Sequence, residues 1–197
     1  MRSIIIENNM KLKCPILQSI ESYSIELFID FWSTQYYYPK NEHFYKDNIC
    51  KEIFTKKDVV DLYTWKNGMN LSANKQESLE NKILSKLDII NDFKNHGLPT
   101  LDFFLDEFKE VSFVWKIFLL HIIKPKTYPI YDQHIHRAFK YLMSENDIIQ
   151  QARELEFYFK FYLPFIENEQ IKEIKKMDEA FFAFGQFLNA KNYQSLL

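Results

Sequence analysis

Glycine occurs only three times in the 197 residues, and two of the three, Gly68 and Gly97, stand where stretches of helical periodicity run out. A chain so poor in the residue that turns backbones sharply, and so rich in apolar residues three and four apart, is predicted to be all-α. Thr55 caps a helix over Lys56 to Asn67 that Gly68 closes. Asn74 to His96 is the longest helical pattern, with Leu79, Ile83, Leu84, Leu87, Ile90 and Phe93 on one face. Thr100 caps a helix to about Lys109. Ser112 caps the next, which runs to Ile123 and is apolar nearly all round, as befits a central buried helix. Further helices are expected over Ser19 to Gln35, Asp47 to Phe54, Asp132 to Met143 and from Ser144 to a stop at Pro164. Asp178 caps a last, aromatic helix to Ala190. The expectation is eight or nine helices over residues 1–197, as one domain or as two small lobes sharing a core.

Composition narrows the class. Hydrophobic residues make up 47% and aromatics 17% of the chain, enough for a buried core and against disorder. No apolar run approaches the ~18–20 residues that span a bilayer, so no membrane partner is expected. Two cysteines, Cys14 and Cys50, far apart and without a signal peptide, point to a reducing cytoplasm, and both read as buried thiols. The formal net charge of −2 does not favour strong nonspecific binding to nucleic acid, but the charge is unevenly spread. Lys109 to Tyr141 holds six basic residues against two acidic, whereas Glu145 to Glu179 holds five against nine. The basic segment (Lys109, Lys116, Lys124, Lys126, Arg137, Lys140) is either a solvated surface or a phosphate-tracking stripe.

Within that segment lies the stretch with the most chemistry, Tyr128-Pro129-Ile130-Tyr131-Asp132-Gln133-His134-Ile135-His136-Arg137. Pro129 favours an extended Tyr128, and Asp132 starts a helix that carries two histidines and an arginine. An aspartate at a helix N-terminus is either an ordinary cap or a preoriented carboxylate facing a pocket. Asp132 and His136 are i,i+4 neighbours that could pair. Joined by His121 they could also be imagined around one metal ion, but no HExxH, paired cysteines or dense carboxylate cluster accompanies them, and no metal or cofactor is expected. Trp65, Trp115, Tyr128 and Tyr131 are available to line a pocket, although most aromatics here must be core. Trp65-Lys66-Asn67-Gly68 reads as a helix end, and Tyr36-Tyr37-Tyr38 as a hydrophobic anchor or a stacking surface for bases.

The segment resembles the helix-hairpin-helix/Gly-Pro-Asp superfamily of DNA glycosylases, the group containing endonuclease III. Members carry a hairpin with a G-V-G turn, a helix, a short apolar loop and then V-D-x-H-x-x-R. The last part matches Tyr131-Asp132-Gln133-His134-Ile135-His136-Arg137, and the family spacing places the hairpin turn on Glu110-Val111-Ser112 and its helix on Phe113 to Ile123. Asp178 to Gly185 also resembles the final helix of small relatives. The specific match covers about 30 residues.

The resemblance implies a two-lobed helical bundle, with the motif-bearing helices at 100–143 between the lobes. Its implied activity is hydrolysis of an N-glycosidic bond in damaged DNA. Asp132 would be the catalytic carboxylate, and His134, His136, Arg137, Tyr131, Tyr128 and Trp115 would line or support the pocket. Ser112, Lys109, Lys116, Lys124, Lys126 and Arg137 would hold DNA. This chain departs from the pattern at both hairpin glycines, replaced by Glu110 and Ser112, and at the nucleophilic lysine of bifunctional members, which falls on Val114. The implied enzyme is therefore monofunctional, without lyase chemistry through a lysine at that position. The four-cysteine iron–sulfur loop of some relatives is absent too. Loss of the glycines and the acidic net charge fit a second expectation, a noncatalytic descendant that binds nucleic acid or protein.

Overall fold

A computed structural model describes residues 24–38, 40–143 and 146–190, and among these every regular element is helical. The order is α1 (Ile25–Ser33), α2 (Glu42–Asn48), α3 (Lys56–Asn67), α4 (Ala73–Lys82), α5 (Leu87–His96), α6 (Leu101–Glu107), α7 (Phe113–Ile123), α8 (Gln133–Leu142), α9 (Asp147–Gln151), α10 (Glu154–Glu156), α11 (Leu163–Asn168) and α12 (Ile174–Leu188). Residues 19–23 of the expected first helix lie outside the described residues, as does Cys14.

Local signals set several of these elements. Thr55 and Asp58 form a reciprocal capping box at the start of α3, and Gly68 closes it at φ +74°. The helix α7 is buried continuously from Ile117 to Ile123. The turn before it, over residues 108–111, is held by the Val111 N–H on the Phe108 carbonyl at 3.0 Å. No residue from 108 to 112 takes a positive φ. The turn geometry thus demands no glycine, which accounts for Glu110 and Ser112 being tolerated there.

Other expectations give way to packing. The second helix covers Glu42–Asn48 rather than Asp47 to Phe54, because Tyr45 and Ile49 turn inward while Ile53 is 66% exposed. The long pattern from Asn74 to His96 is divided by a 3-10 turn at Leu84–Lys86. Pro164 does not end its helix. It sits in the first turn of α11, directly after a π-helical turn at Phe157–Tyr162. A wide turn relieves the clash a proline makes with the preceding carbonyls, so the helix continues past it. Asp178 is no cap either: α12 starts at Ile174 and carries Asp178 buried in its interior. Cys50 is exposed, not buried.

Residues of every helix but α10 join one buried cluster running from Ile29 to Phe184. On one side α8 packs on α12, and α12 on α1. Gly185 marks the closest approach of α8 and α12, since a Cβ there would meet the backbone of His134. No helix among the described residues is long and apolar enough to cross a membrane.

Candidate functional site

The connector from α7 to α8 doubles back along α7. His121 anchors it: the buried ring donates from Nδ1 to the Tyr128 carbonyl (2.8 Å) and accepts at Nε2 from the Tyr45 hydroxyl (2.7 Å). Burial pushes His121 down to about 3, so the ring stays neutral. Tyr158 donates to the Pro129 carbonyl at 2.8 Å, and the Ile130 N–H donates to Asp178 Oδ2 at 2.9 Å. Tyr131 then packs edge-on against Phe113, centroids 4.9 Å apart, at the N-terminal end of α7. The extended approach to α8 is therefore held residue by residue up to Asp132.

Asp132 caps α8 with one oxygen and not the other. Oδ1 accepts from the His134 N–H at 2.9 Å, while Oδ2 lies 3.4 Å from the Lys66 ammonium nitrogen. The Asp132 side chain keeps 23% of its surface accessible, and it opens on a cleft of about 180 Å³. The walls come from four places in the chain. The segment after α1 gives Tyr36 and Tyr38, the end of α3 gives Trp65, Lys66 and Asn67, the start of α8 gives Asp132, Gln133 and His134, and α12 gives Lys175, Asp178, Glu179 and Phe182.

Two lysines reach this cleft. Lys66 is nearly buried, its side chain 7% exposed, and donates to the Tyr131 carbonyl at 2.8 Å. Burial lowers the pKa of its ammonium group, against the opposing pull of Asp132. Lys175 is 2.7 Å from Glu179 and sits over the rings of Tyr36, Tyr45 and Trp65, 4.9, 5.0 and 5.3 Å from their centroids. The Trp65 indole N–H donates to Glu42 at 2.8 Å, so this aromatic group is itself oriented by a carboxylate. Desolvation raises the pKa of Tyr36 and Tyr38 and keeps both phenols neutral.

The remaining motif residues divide. His134 lines the cleft, its ring edge-on to Phe182, and Nδ1 accepts from Arg137 at 3.0 Å. Arg137 also donates to the Gly185 carbonyl at 3.0 Å, tying α8 to α12 rather than reaching out for phosphate. His136 does not pair with Asp132. Its Nδ1 accepts from the Tyr131 hydroxyl at 2.8 Å and its ring stacks on Phe157 at 3.9 Å. Trp115 packs against Tyr63, and Tyr128 serves the connector through its carbonyl.

The basic residues form two groups rather than one stripe. Lys109 and Ser112 lie at the α6–α7 turn, and Lys116, from the start of α7, reaches back to the Lys109 carbonyl at 3.5 Å. Lys124 and Lys126 lie past the far end of α7, whose 11 residues span about 16 Å. Lys124 donates to the Lys94 carbonyl at 3.1 Å, and Lys109 is 3.6 Å from Asp106. No cluster of three or more histidine, cysteine or carboxylate side chains suited to a metal ion occurs among the described residues.

Asp178 supports the site from below. It accepts from Ile130 N–H and from the Tyr162 hydroxyl at 3.2 Å, and burial pushes its carboxyl up to about 7 despite those bonds. Above its ordinary value of 3.8 the unfolded chain has released a proton that the folded protein keeps, so this group's contribution to stability falls as pH rises from about 4 to about 7. His121 and His136, pushed down by burial to about 3 and about 4, act oppositely and lose stabilisation as pH falls below 6.5. Asp178→Asn should isolate the first effect, because its amide oxygen can keep Ile130 while Tyr162 turns to accept. The unfolding free energy of wild type relative to the variant should decline between pH 4 and 7 in urea titrations. A difference that stays constant over that range refutes the assignment.

Comparison with protein-family models, curated proteins and solved structures finds no match to this chain.

Proposed function

We propose that the cleft receives a nucleobase extruded from damaged DNA, and that Asp132 promotes hydrolysis of its N-glycosidic bond. The observation that carries this reading is the division of labour in the Asp132 carboxylate. One oxygen is spent on the helix cap, and the other lies 3.4 Å from the Lys66 ammonium nitrogen on the wall of the cleft. Cleavage of such a bond passes through a cation-like sugar. A fixed carboxylate can stabilise that charge or take a proton from the attacking water. Tyr36, Tyr38, Trp65 and Phe182 supply ring faces and edges against which a flat base can rest. The volume of about 180 Å³ is below the ~300–1,000 Å³ of sites for larger ligands and suits a single ring system. The α6–α7 turn brings Ser112, Lys109 and Lys116 to the same end of α7 as Asp132, where a DNA backbone would pass. These placements agree with the resemblance to the helix-hairpin-helix glycosylases.

The test is binding to a duplex with one abasic-site analogue beside the same duplex intact, at two salt concentrations. A preference of about tenfold, or ~1.4 kcal/mol, for the abasic duplex is expected, with affinity falling as salt rises. Equal and weak binding to both duplexes would sink the glycosylase reading. It would favour a noncatalytic binding module, a role that the internal engagement of Arg137 and Lys124 and the net charge of −2 also suit.

A further inference from the structure

We infer that Lys175 sets the charge of the base that the cleft accepts: its ammonium group fills an electron-rich box of aromatic rings and carboxylates, so that an uncharged base is taken and a cationic, N-alkylated one is refused. The inference rests on the reading just given in that its ligand is a base, but the box stands whether or not DNA is the source of that base.

Lys175, Asp178, Glu179 and Phe182 are spaced i, i+3, i+4 and i+7 along α12, so they share one face, and all four line the cleft. From that face the Lys175 Nζ sits 4.9 Å from the ring centroid of Tyr36, 5.0 Å from that of Tyr45 and 5.3 Å from that of Trp65, within the ~6 Å over which a cation is drawn to a ring face. Glu179 lies 2.7 Å and Glu42 4.0 Å from the same nitrogen. Glu42 also accepts from the Trp65 indole N–H at 2.8 Å, which orients that ring. Three rings and two carboxylates converging on one point are the chemistry that recognises alkylated ammonium groups. Here the occupant is a side chain of the protein itself.

The occupant decides what else can enter. Tyr36 and Trp65 line the cleft, whereas the buried Tyr45 does not, since Lys175 lies over its ring. A base resting against Tyr36 and Trp65 therefore meets the ammonium group beside it. Like charges are weakly screened there, because the Lys175 side chain keeps only 27% of its surface accessible. A tethered cation also holds its place at an effective concentration that a weakly bound ligand does not match. An uncharged base meets neither obstacle, and its carbonyl oxygens can accept from the ammonium group. Lys66, the other lysine of the cleft, is answered by Asp132 at 3.4 Å, so its charge is balanced outside the box. Without Lys175 the preference reverses, because Glu42 and Glu179 are left beside three rings without the lysine they share.

The experiment compares two single-ring nucleosides of nearly equal shape: 3-methylcytidine, a cation at neutral pH, and 3-methyluridine, which is uncharged. Each is titrated into the full chain as wild type, Lys175→Arg and Lys175→Ala, and the Trp65 indole N–H resonance is followed by NMR. Wild type and Lys175→Arg are expected to bind 3-methyluridine at least about tenfold more tightly than 3-methylcytidine, and Lys175→Ala to reverse that preference. The arginine variant keeps a charge over the rings while changing the shape of the side chain, so it separates charge from the filling of space. Equal binding of both nucleosides by wild type, a preference unchanged in Lys175→Ala, or no shift with either nucleoside in any of the three proteins overturns the inference. The wild-type comparison decides alone if Lys175→Ala does not fold. The abasic-duplex assay on wild type is read separately. A preference for the uncharged nucleoside without any preference for abasic DNA supports the role of Lys175 and removes damaged DNA as the source of the base. Preference for abasic DNA without discrimination between the nucleosides overturns the inference and leaves the glycosylase reading standing.

Discussion

Gly185→Ala is expected to cost about 3 kcal/mol or more, at or beyond the top of the usual range for overpacked cores. A Cβ at this position would lie 1.9 Å from the carbonyl oxygen of His134, 2.5 Å from its carbonyl carbon and 2.8 Å from its Cα. All three are backbone atoms, so no rotamer change relieves the contact. Helices α8 and α12 would have to separate, and their interface carries Ala138, Phe139, Phe181 and Phe184, all buried. For a chain of this size the melting temperature should fall by ~6–12 °C. Gly97→Ala is the matched control. No atom lies within 4 Å of a Cβ there, so only its backbone, at φ +92° and ψ 165°, opposes the change, at about 1–3 kcal/mol. Thermal melts showing Gly185→Ala within about 1 kcal/mol of wild type would mean that α8 and α12 are not locked at Gly185. The consequence for the site is direct, because the His134 N–H that Asp132 caps belongs to the residue that Gly185 touches.

What the sequence made legible was local, and what it hid was long-range. The capping box of Thr55 and Asp58, the glycine stops and the Pro129–Asp132 approach to α8 are each decided by a few neighbouring residues, and each could be read in place. The break between α4 and α5 left no such mark. Leu79, Ile83, Ile90 and Phe93 remain at helical spacing across it, and all four are buried, so periodicity alone argues for one uninterrupted helix. Asp178 was misread for the opposite reason. Its residue type suits a cap and the residues before it are polar, yet its carboxylate is required inside by Ile130 and Tyr162, partners 48 and 16 positions away. The cleft follows the same rule. Asp132 and His134 were found through a contiguous motif, whereas Tyr36, Tyr38, Lys66 and Lys175 reach it from the segment after α1, from α3 and from α12 by tertiary packing alone. Trp65-Lys66-Asn67-Gly68 does end a helix, as its glycine indicates, but it also puts three consecutive side chains on the wall of the cleft. A run of bulky and polar residues just ahead of a closing glycine was the only signal available, and capping alone was enough to explain it.

Asp132→Asn separates the structural role of this residue from its chemical one. Asparagine caps helices as well as aspartate, so the amide oxygen should keep the His134 N–H now held at 2.9 Å, while its NH2 group replaces the carboxylate oxygen facing the nearly buried Lys66 ammonium and costs about 1–3 kcal/mol. The chemistry has no such substitute. An amide neither offsets a developing positive charge on the sugar nor takes a proton from water, and removing a group of this kind commonly costs ~10²–10³ in rate. We expect single-turnover base release, on a duplex the wild type processes, to fall by about 10³, or ~4 kcal/mol in the barrier, with affinity for the abasic duplex within about threefold of wild type. Asp132→Ala should add a loss of stability of ~1 kcal/mol from the missing cap, which Asn avoids. The pair of variants therefore distinguishes a cap from a catalyst. If release survives in Asp132→Asn and falls only in Asp132→Ala, the carboxylate merely starts α8, and the oxygen facing Lys66 has no part in bond cleavage. If release is lost in both while Asp132→Asn remains folded at the assay temperature, the negative charge itself is what the reaction needs.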